Sequence, residues 1–169
     1  MEVWITNLEP LVKQFRTAID NAFDRGEFRS IFPFSRFPND CCDLSCDLLG
    51  QFLLEHGVVT HQVNGTHKHD PAWRHVWLVT EDRQVIDITG DQFIGKLISE
   101  EDGSPVYIGT ENIIHRLFCV NRFREENTKF TDAREFTGFG GMPNPRQRTL
   151  IRIYEIISRN IRADANNPV

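Results

Sequence analysis

At Gly57 the apolar repeat of the chain changes period, from about 3.6 residues to about 2, and this change restricts the fold more than any other feature. Upstream, Leu8, Leu11, Val12, Phe15, Ile19 and Phe23 recur at helical spacing. A helix is expected over about residues 7–25, opened by a Thr6/Glu9 capping box and stopped at Gly26. After a Phe/Pro-rich stretch at 31–38, Asn39 and Asp40 offer N-caps for a second helix over about 41–56. Its Leu44, Leu48, Leu49, Phe52, Leu53 and Leu54 cover more than one stripe, which predicts burial on several sides.

Downstream of Gly57 the pattern is that of strands. Residues 58–63 are a strand candidate and 64–72 a polar loop, while 75–80 and 85–89 flank Glu81-Asp82-Arg83-Gln84 as a β-hairpin. Residues 106–108 offer another strand and 112–118 a short helix or strand. The stretch 121–136, with Phe123, Phe130 and Phe136 among mixed charges, reads as a solvated face. Pro145 opens a last helix to about residue 161. Helices, then an antiparallel sheet, then a helix is the order of an α+β domain.

At 169 residues the chain corresponds to one domain on a scale of roughly 150 residues each, spanning 1–169 with a core at about 37–118. Its net charge of −5 argues against a nucleic-acid partner, although residues 121–169 carry nine Lys/Arg against six Asp/Glu. No run nears the roughly 18 apolar residues of a membrane span, and the N-terminus has no signal-peptide pattern, so the cytoplasm is the expected compartment. Of four cysteines, Cys41, Cys42 and Cys46 are too crowded for a disulfide framework. In a reducing compartment, burial, metal binding or catalysis is their expected use.

A nucleophilic cysteine needs its thiolate stabilised, and the start of a buried helix supplies unpaired N–H groups and the positive end of the dipole. Cys41 and Cys42 both lie there. A base must come within reach of the sulfur and needs an orienting acceptor of its own. His75 opens one strand of the hairpin, and Asp87 lies on the other in the apolar run Val85-Ile86-Asp87-Ile88, where a lone carboxylate is costly without a partner. With the turn centred in 81–84, residue 78 faces 87. Asp87 is then offset from His75 by about three positions, roughly 10 Å, a gap that needs a bulge or a wider turn. Trp73, His75 and Trp77 share one face of an extended segment, giving the imidazole aromatic walls.

The segments Phe37-Pro38-Asn39-Asp40-Cys41-Cys42, His75-Val76-Trp77-Leu78 and Ile86-Asp87-Ile88-Thr89, running into Asp91-Gln92-Phe93, resemble the Cys, His, Asp order of the transglutaminase-like branch of the papain-like superfamily. The nearest likeness is to small bacterial members. The resemblance implies a Cys-bearing helix packed on an antiparallel sheet, with Cys42 as nucleophile, His75 as base and Asp87 as the residue that fixes the imidazole tautomer. It favours Cys42 over Cys41 through the Phe-Pro-x-x-x-Cys spacing. It also implies a cysteine hydrolase or acyltransferase acting on a peptide or protein amide, with no cofactor. One departure is Arg36, which stands six residues before Cys42 where papain-like proteases place a glutamine oxyanion donor.

Cys41, Cys46, Trp73, Trp77, His67 and His69 are the remaining pocket candidates, the last two on a loop expected to overhang the site. His67 and His69 lack the paired Cys-x-x-Cys knuckles of strong zinc motifs, so no metal is assigned. The rival readings are a catalytically inactive papain-like binding or immunity-type module and a small zinc-binding protein.

Overall fold

The computed structural model describes residues 8–132 and 137–166. Helix α1 (Leu8–Asp24) and helix α2 (Cys42–Glu55) precede strands β1 (Thr60–His67), β2 (Arg74–Thr80), β3 (Val85–Asp87) and β4 (Tyr107–Gly109). A one-turn helix α3 (Ile113–Arg116), strand β5 (Phe118–Glu126) and helix α4 (Pro145–Asn166) complete the chain. The five strands form one antiparallel sheet in the order β4-β3-β2-β1-β5. The architecture is α+β, and no helix among the described residues is long and apolar enough to cross a membrane.

Because side chains alternate across a strand, the sheet separates two apolar clusters. Val76, Leu78 and Ile86 face the helices, joining Phe15, Ile19, Leu48, Leu49, Leu53, Ile153 and Ile157 in the larger cluster. Val63, Trp77, Val79 and Val85 face the other way and pack with Phe93, Ile98, Ile114 and Phe118. His75 and Asp87 belong to this second set of alternating positions.

Two buried ionic clusters fix the helices on the sheet. Arg16 of α1 donates from Nη1 to the carbonyls of Ile88 (2.6 Å) and Pro105 (2.9 Å), and from Nη2 to Asp91 (2.7 Å). Its guanidinium also lies over the Phe37 ring at 4.8 Å. One side chain therefore joins α1, the segment after β3 and the loop before α2. On the opposite flank, Asp47 of α2 accepts from Gln62 on β1 (2.6 Å) and Arg146 on α4 (2.5 Å). Such fully partnered groups are tolerated in an interior where a lone charge is not.

The boundaries depart from the sequence reading in physically instructive ways. Residues 64–67, expected as loop, extend β1, because this strand is central and its backbone is paired on both sides by β2 and β5. Residues 118–126, expected in part as a solvated charged face, form β5. It is an edge strand in which charged side chains can alternate outward. Helix α2 starts at Cys42 with Cys41 as N-cap and no side-chain cap. The expected caps are engaged elsewhere: Asn39 accepts from Lys96 (2.5 Å), and Asp40 pairs with Arg36 (2.9 Å). Thr6 and Phe136 lie outside the described residues.

The hairpin turn differs by half a residue from the expected one. Val79 pairs with Val85 and Leu78 with Ile86, so the loop is the three residues 81–83. Arg83 takes a positive φ of 65°, its N–H donates to the Thr80 carbonyl (3.0 Å), and the Thr80 N–H donates to the Gln84 carbonyl (3.0 Å). This is a type I turn followed by a left-handed residue, a common three-residue hairpin.

Candidate functional site

That turn places the histidine and the carboxylate together. Continuing the register puts Asp87 opposite Trp77, which leaves His75 two residues away on the same face. Such diagonal neighbours stand roughly 7–8 Å apart at the backbone, within reach of an imidazole. The His75 Nε2–H donates to Asp87 Oδ2 at 2.7 Å, with both side chains buried. The expected bulge is not needed.

Besides His75 the carboxylate has three further donors, one of them the Thr89 hydroxyl on Oδ1 at 3.5 Å. Its Oδ1 accepts the Thr89 main-chain N–H at 2.9 Å, and its Oδ2 also faces His115 Nε2 at 3.1 Å. Burial alone would raise the pKa of Asp87, but the two imidazoles and their hydrogen bonds hold it well below the ordinary carboxylate range. For His75, burial disfavours the cation. The adjacent Asp87 charge and hydrogen bond, with a contribution from Cys42, outweigh that penalty and raise its pKa to about 10.

The other ring nitrogen of His75, Nδ1, is buried and has no partner of regular hydrogen-bond geometry. Cys42 is near enough to contribute to the raised His75 pKa, and with Nε2 committed to Asp87, Nδ1 is the ring nitrogen that remains unpaired. Cys42 is half-buried at the first position of α2. Its neighbours are in different states. The Cys41 sulfur points back into the Phe/Pro loop, toward the carbonyls of Pro33 (3.3 Å) and Asn39 (3.2 Å), and burial pushes its thiol up to about 12. Cys46 lies one turn further along α2, and burial raises its pKa well above the ordinary value, with the Cys42 and Asp87 charges adding to the effect. Cys119 is exposed on β5. Cys41 and Cys42, adjacent in sequence, thus stand in different surroundings, the first buried in the loop and the second half-buried at the helix start.

The aromatic walls are present. Trp77 lies 5.6 Å from the His75 ring, Phe93 meets it edge-on at 4.9 Å, and Phe118 lies at 5.6 Å. Trp73 contributes one layer out, edge-on to Phe93 at 6.1 Å. His67 and His69 are not brought onto His75. His67 stacks edge-on against Phe118 at 5.8 Å, so the Phe118 ring stands between the two imidazoles, and His69 is exposed with its N–H donating to His67 Nδ1. Residues 64–67 are strand rather than loop, and with Gly65 opposite His75 the register sets His67 opposite Trp73, on the same face as His75.

His115 was not singled out from the sequence. Asn112-Ile113-Ile114-His115 forms a reciprocal capping box: the Asn112 side chain accepts from the Ile114 N–H (2.9 Å), and the Asn112 N–H donates to His115 Nδ1 (3.2 Å). An asparagine N-cap with a polar residue three positions on was the available signal. Its link to Asp87, 28 residues away, had none.

Among the described residues, His75, Asp87 and His115 also form the one group whose donor atoms are close enough to hold a metal ion, all within 4.8 Å. Coordination would need both Nε2 lone pairs. The Asn112 N–H occupies Nδ1 of His115 and leaves the proton on Nε2, so the donor set fits hydrogen bonds to a carboxylate better than a metal.

Comparison of the chain with protein-family models, with curated proteins and with solved structures gave no match.

Proposed function

We propose that Cys42, His75 and Asp87 act as nucleophile, base and orienting carboxylate in a cysteine-dependent acyl transfer on an amide substrate, as in the papain-like and transglutaminase-like enzymes the sequence resembles. The observation that carries this reading is the His75 ring: buried, anchored through Nε2 on Asp87 at 2.7 Å, with Nδ1 unpaired and the half-buried Cys42 near enough to contribute to its raised pKa. A structural histidine normally has both ring nitrogens satisfied in the interior.

The raised pKa keeps His75 as an imidazolium at neutral pH, paired with the Cys42 thiolate, and in the first step that sulfur attacks the carbonyl carbon. The oxygen takes the negative charge, and the main-chain N–H at the uncapped start of α2 supports it. Collapse breaks the C–N bond, the amine leaves with the proton from His75, and an acyl group remains on sulfur as a thioester. Water or a second amine then releases it. Hydrolysis, deamidation and transamidation share the first half of this sequence. The four free cysteines support a reducing, cytoplasmic setting.

The test is alkylation by iodoacetamide at neutral pH, mapped by mass spectrometry, together with ammonia release from a blocked glutaminyl peptide. Selective modification of Cys42, lost in His75→Ala, and turnover lost in Cys42→Ser are expected. Equal labelling of Cys42 in the His75→Ala variant would point to an inactive binding module instead.

A further inference from the structure

Asp87 Oδ2 accepts from two buried imidazoles, of which a Cys-His-Asp arrangement needs only one. The second, His115, is held from both sides. Its Nδ1 accepts the Asn112 main-chain N–H at 3.2 Å, a donor that cannot titrate. A nitrogen that accepts a hydrogen bond carries no proton, so the ring is the neutral Nε2–H tautomer and its proton lies toward Asp87. The groups facing the ring are Asp87 on β3, His75 (6.4 Å between ring centres) and Trp77 (5.1 Å) on β2, and Tyr107 (5.6 Å) on β4.

We propose that His115 is a positioning residue: held by the Asn112 N–H as an Nε2–H donor, it fixes the Asp87 carboxylate and leaves His75 as the imidazole that carries the proton exchanged at Cys42. The proposal rests on the triad reading given above. A carboxylate held by His75 and Thr89 alone can rotate about its last bond as His75 gains and loses its proton. With His115 on Oδ2 and the Thr89 N–H on Oδ1, both oxygens have a fixed donor through the whole cycle. The two imidazoles thereby divide the work, one restraining and one carrying the proton.

The decisive experiment combines long-range ¹H–¹⁵N spectra of the full chain with iodoacetamide labelling of Cys42. The His115 ring should show the pattern of a proton on Nε2 only at neutral pH, with Nδ1 as the acceptor. His115→Gln, which keeps a neutral amide donor, should retain Cys42 reactivity to within about twofold. His115→Phe, which keeps the ring volume without a donor, should lower it roughly tenfold or more, as expected for a misplaced orienting group. An Nδ1–H pattern, or a His115→Phe variant that reacts like the parent, overturns the proposal. Should His115→Phe fail to fold, the spectra and the Gln variant decide alone. His75→Ala separates the two levels: if it labels as fast as the parent, the triad reading fails, whereas loss in His75→Ala with full reactivity in His115→Phe removes only the role of His115.

Discussion

Replacing Asp87 with asparagine probes the network at its centre. The carboxylate accepts from His75 Nε2 (2.7 Å), His115 Nε2 (3.1 Å) and the Thr89 N–H (2.9 Å), all in the interior. An amide offers one oxygen, so in either orientation its NH₂ faces at least one of these donors. Each buried donor left without a partner costs about 1–3 kcal/mol, and breaking a buried charge pair from one side about 3–5 kcal/mol. Asp87→Asn should therefore cost about 3–5 kcal/mol, a large share of the roughly 5–15 kcal/mol typical of a domain.

The cost has a defined pH dependence. Asp87 is depressed in the folded state, so its stabilisation is present above the unfolded value of 3.8 and is lost as pH falls below it. His75 is raised, so its contribution is full below the unfolded value of 6.5 and is lost as pH rises toward about 10. Urea unfolding of both proteins should show the largest gap at about pH 5–6.5. The gap should narrow toward alkaline pH without vanishing, because the His115 and Thr89 bonds do not depend on the charge of His75. A gap under about 0.5 kcal/mol at pH 6, or one equally wide at pH 9.5, refutes the argument.

Two further outcomes follow from the packing. A native-state thiol titration should modify Cys119 and Cys42 while sparing Cys41 and Cys46 until denaturant is added, since the latter two are buried; rapid native labelling of Cys41 would contradict its place in the Phe/Pro loop. Arg16→Ala should lower stability by about 3–5 kcal/mol in urea melts, because Asp91 and the carbonyls of Ile88 and Pro105 lose a buried cation, and Arg16→Lys should recover only part of that.

The helices and the hairpin were legible because their signals are local. Apolar spacing fixed α1 and α2 to within a residue or two of the observed ends, and an aspartate inside an apolar run announced a buried partner. The register was read half a residue off because the left-handed φ of Arg83, which makes a three-residue loop, is rare outside Gly and Asn and carries no residue-type signature here. The polar half of β1 and the charged β5 were hidden for a different reason. Strands whose backbone is satisfied by neighbours need no apolar alternation of their own, and those neighbours lie up to about sixty residues away in sequence. His115 was hidden because its importance lies in a bond between two histidines' shared acceptor and a helix cap, neither of which a linear pattern encodes.

The sheet acts as a partition, with consequences for how the site tolerates change. Cys42 borders the cluster on the helical side, whereas Trp77, Phe93 and Phe118, which hold His75, belong to the cluster on the other. Sulfur and imidazole thus border two separately packed clusters on opposite faces of the sheet. A substitution deep in either cluster can leave that cluster well packed and still shift one partner against the other. The distance between Cys42 and His75 is in this sense a gauge of alignment between the clusters, and distant core variants should sort by whether they translate a layer rather than by how much stability they remove.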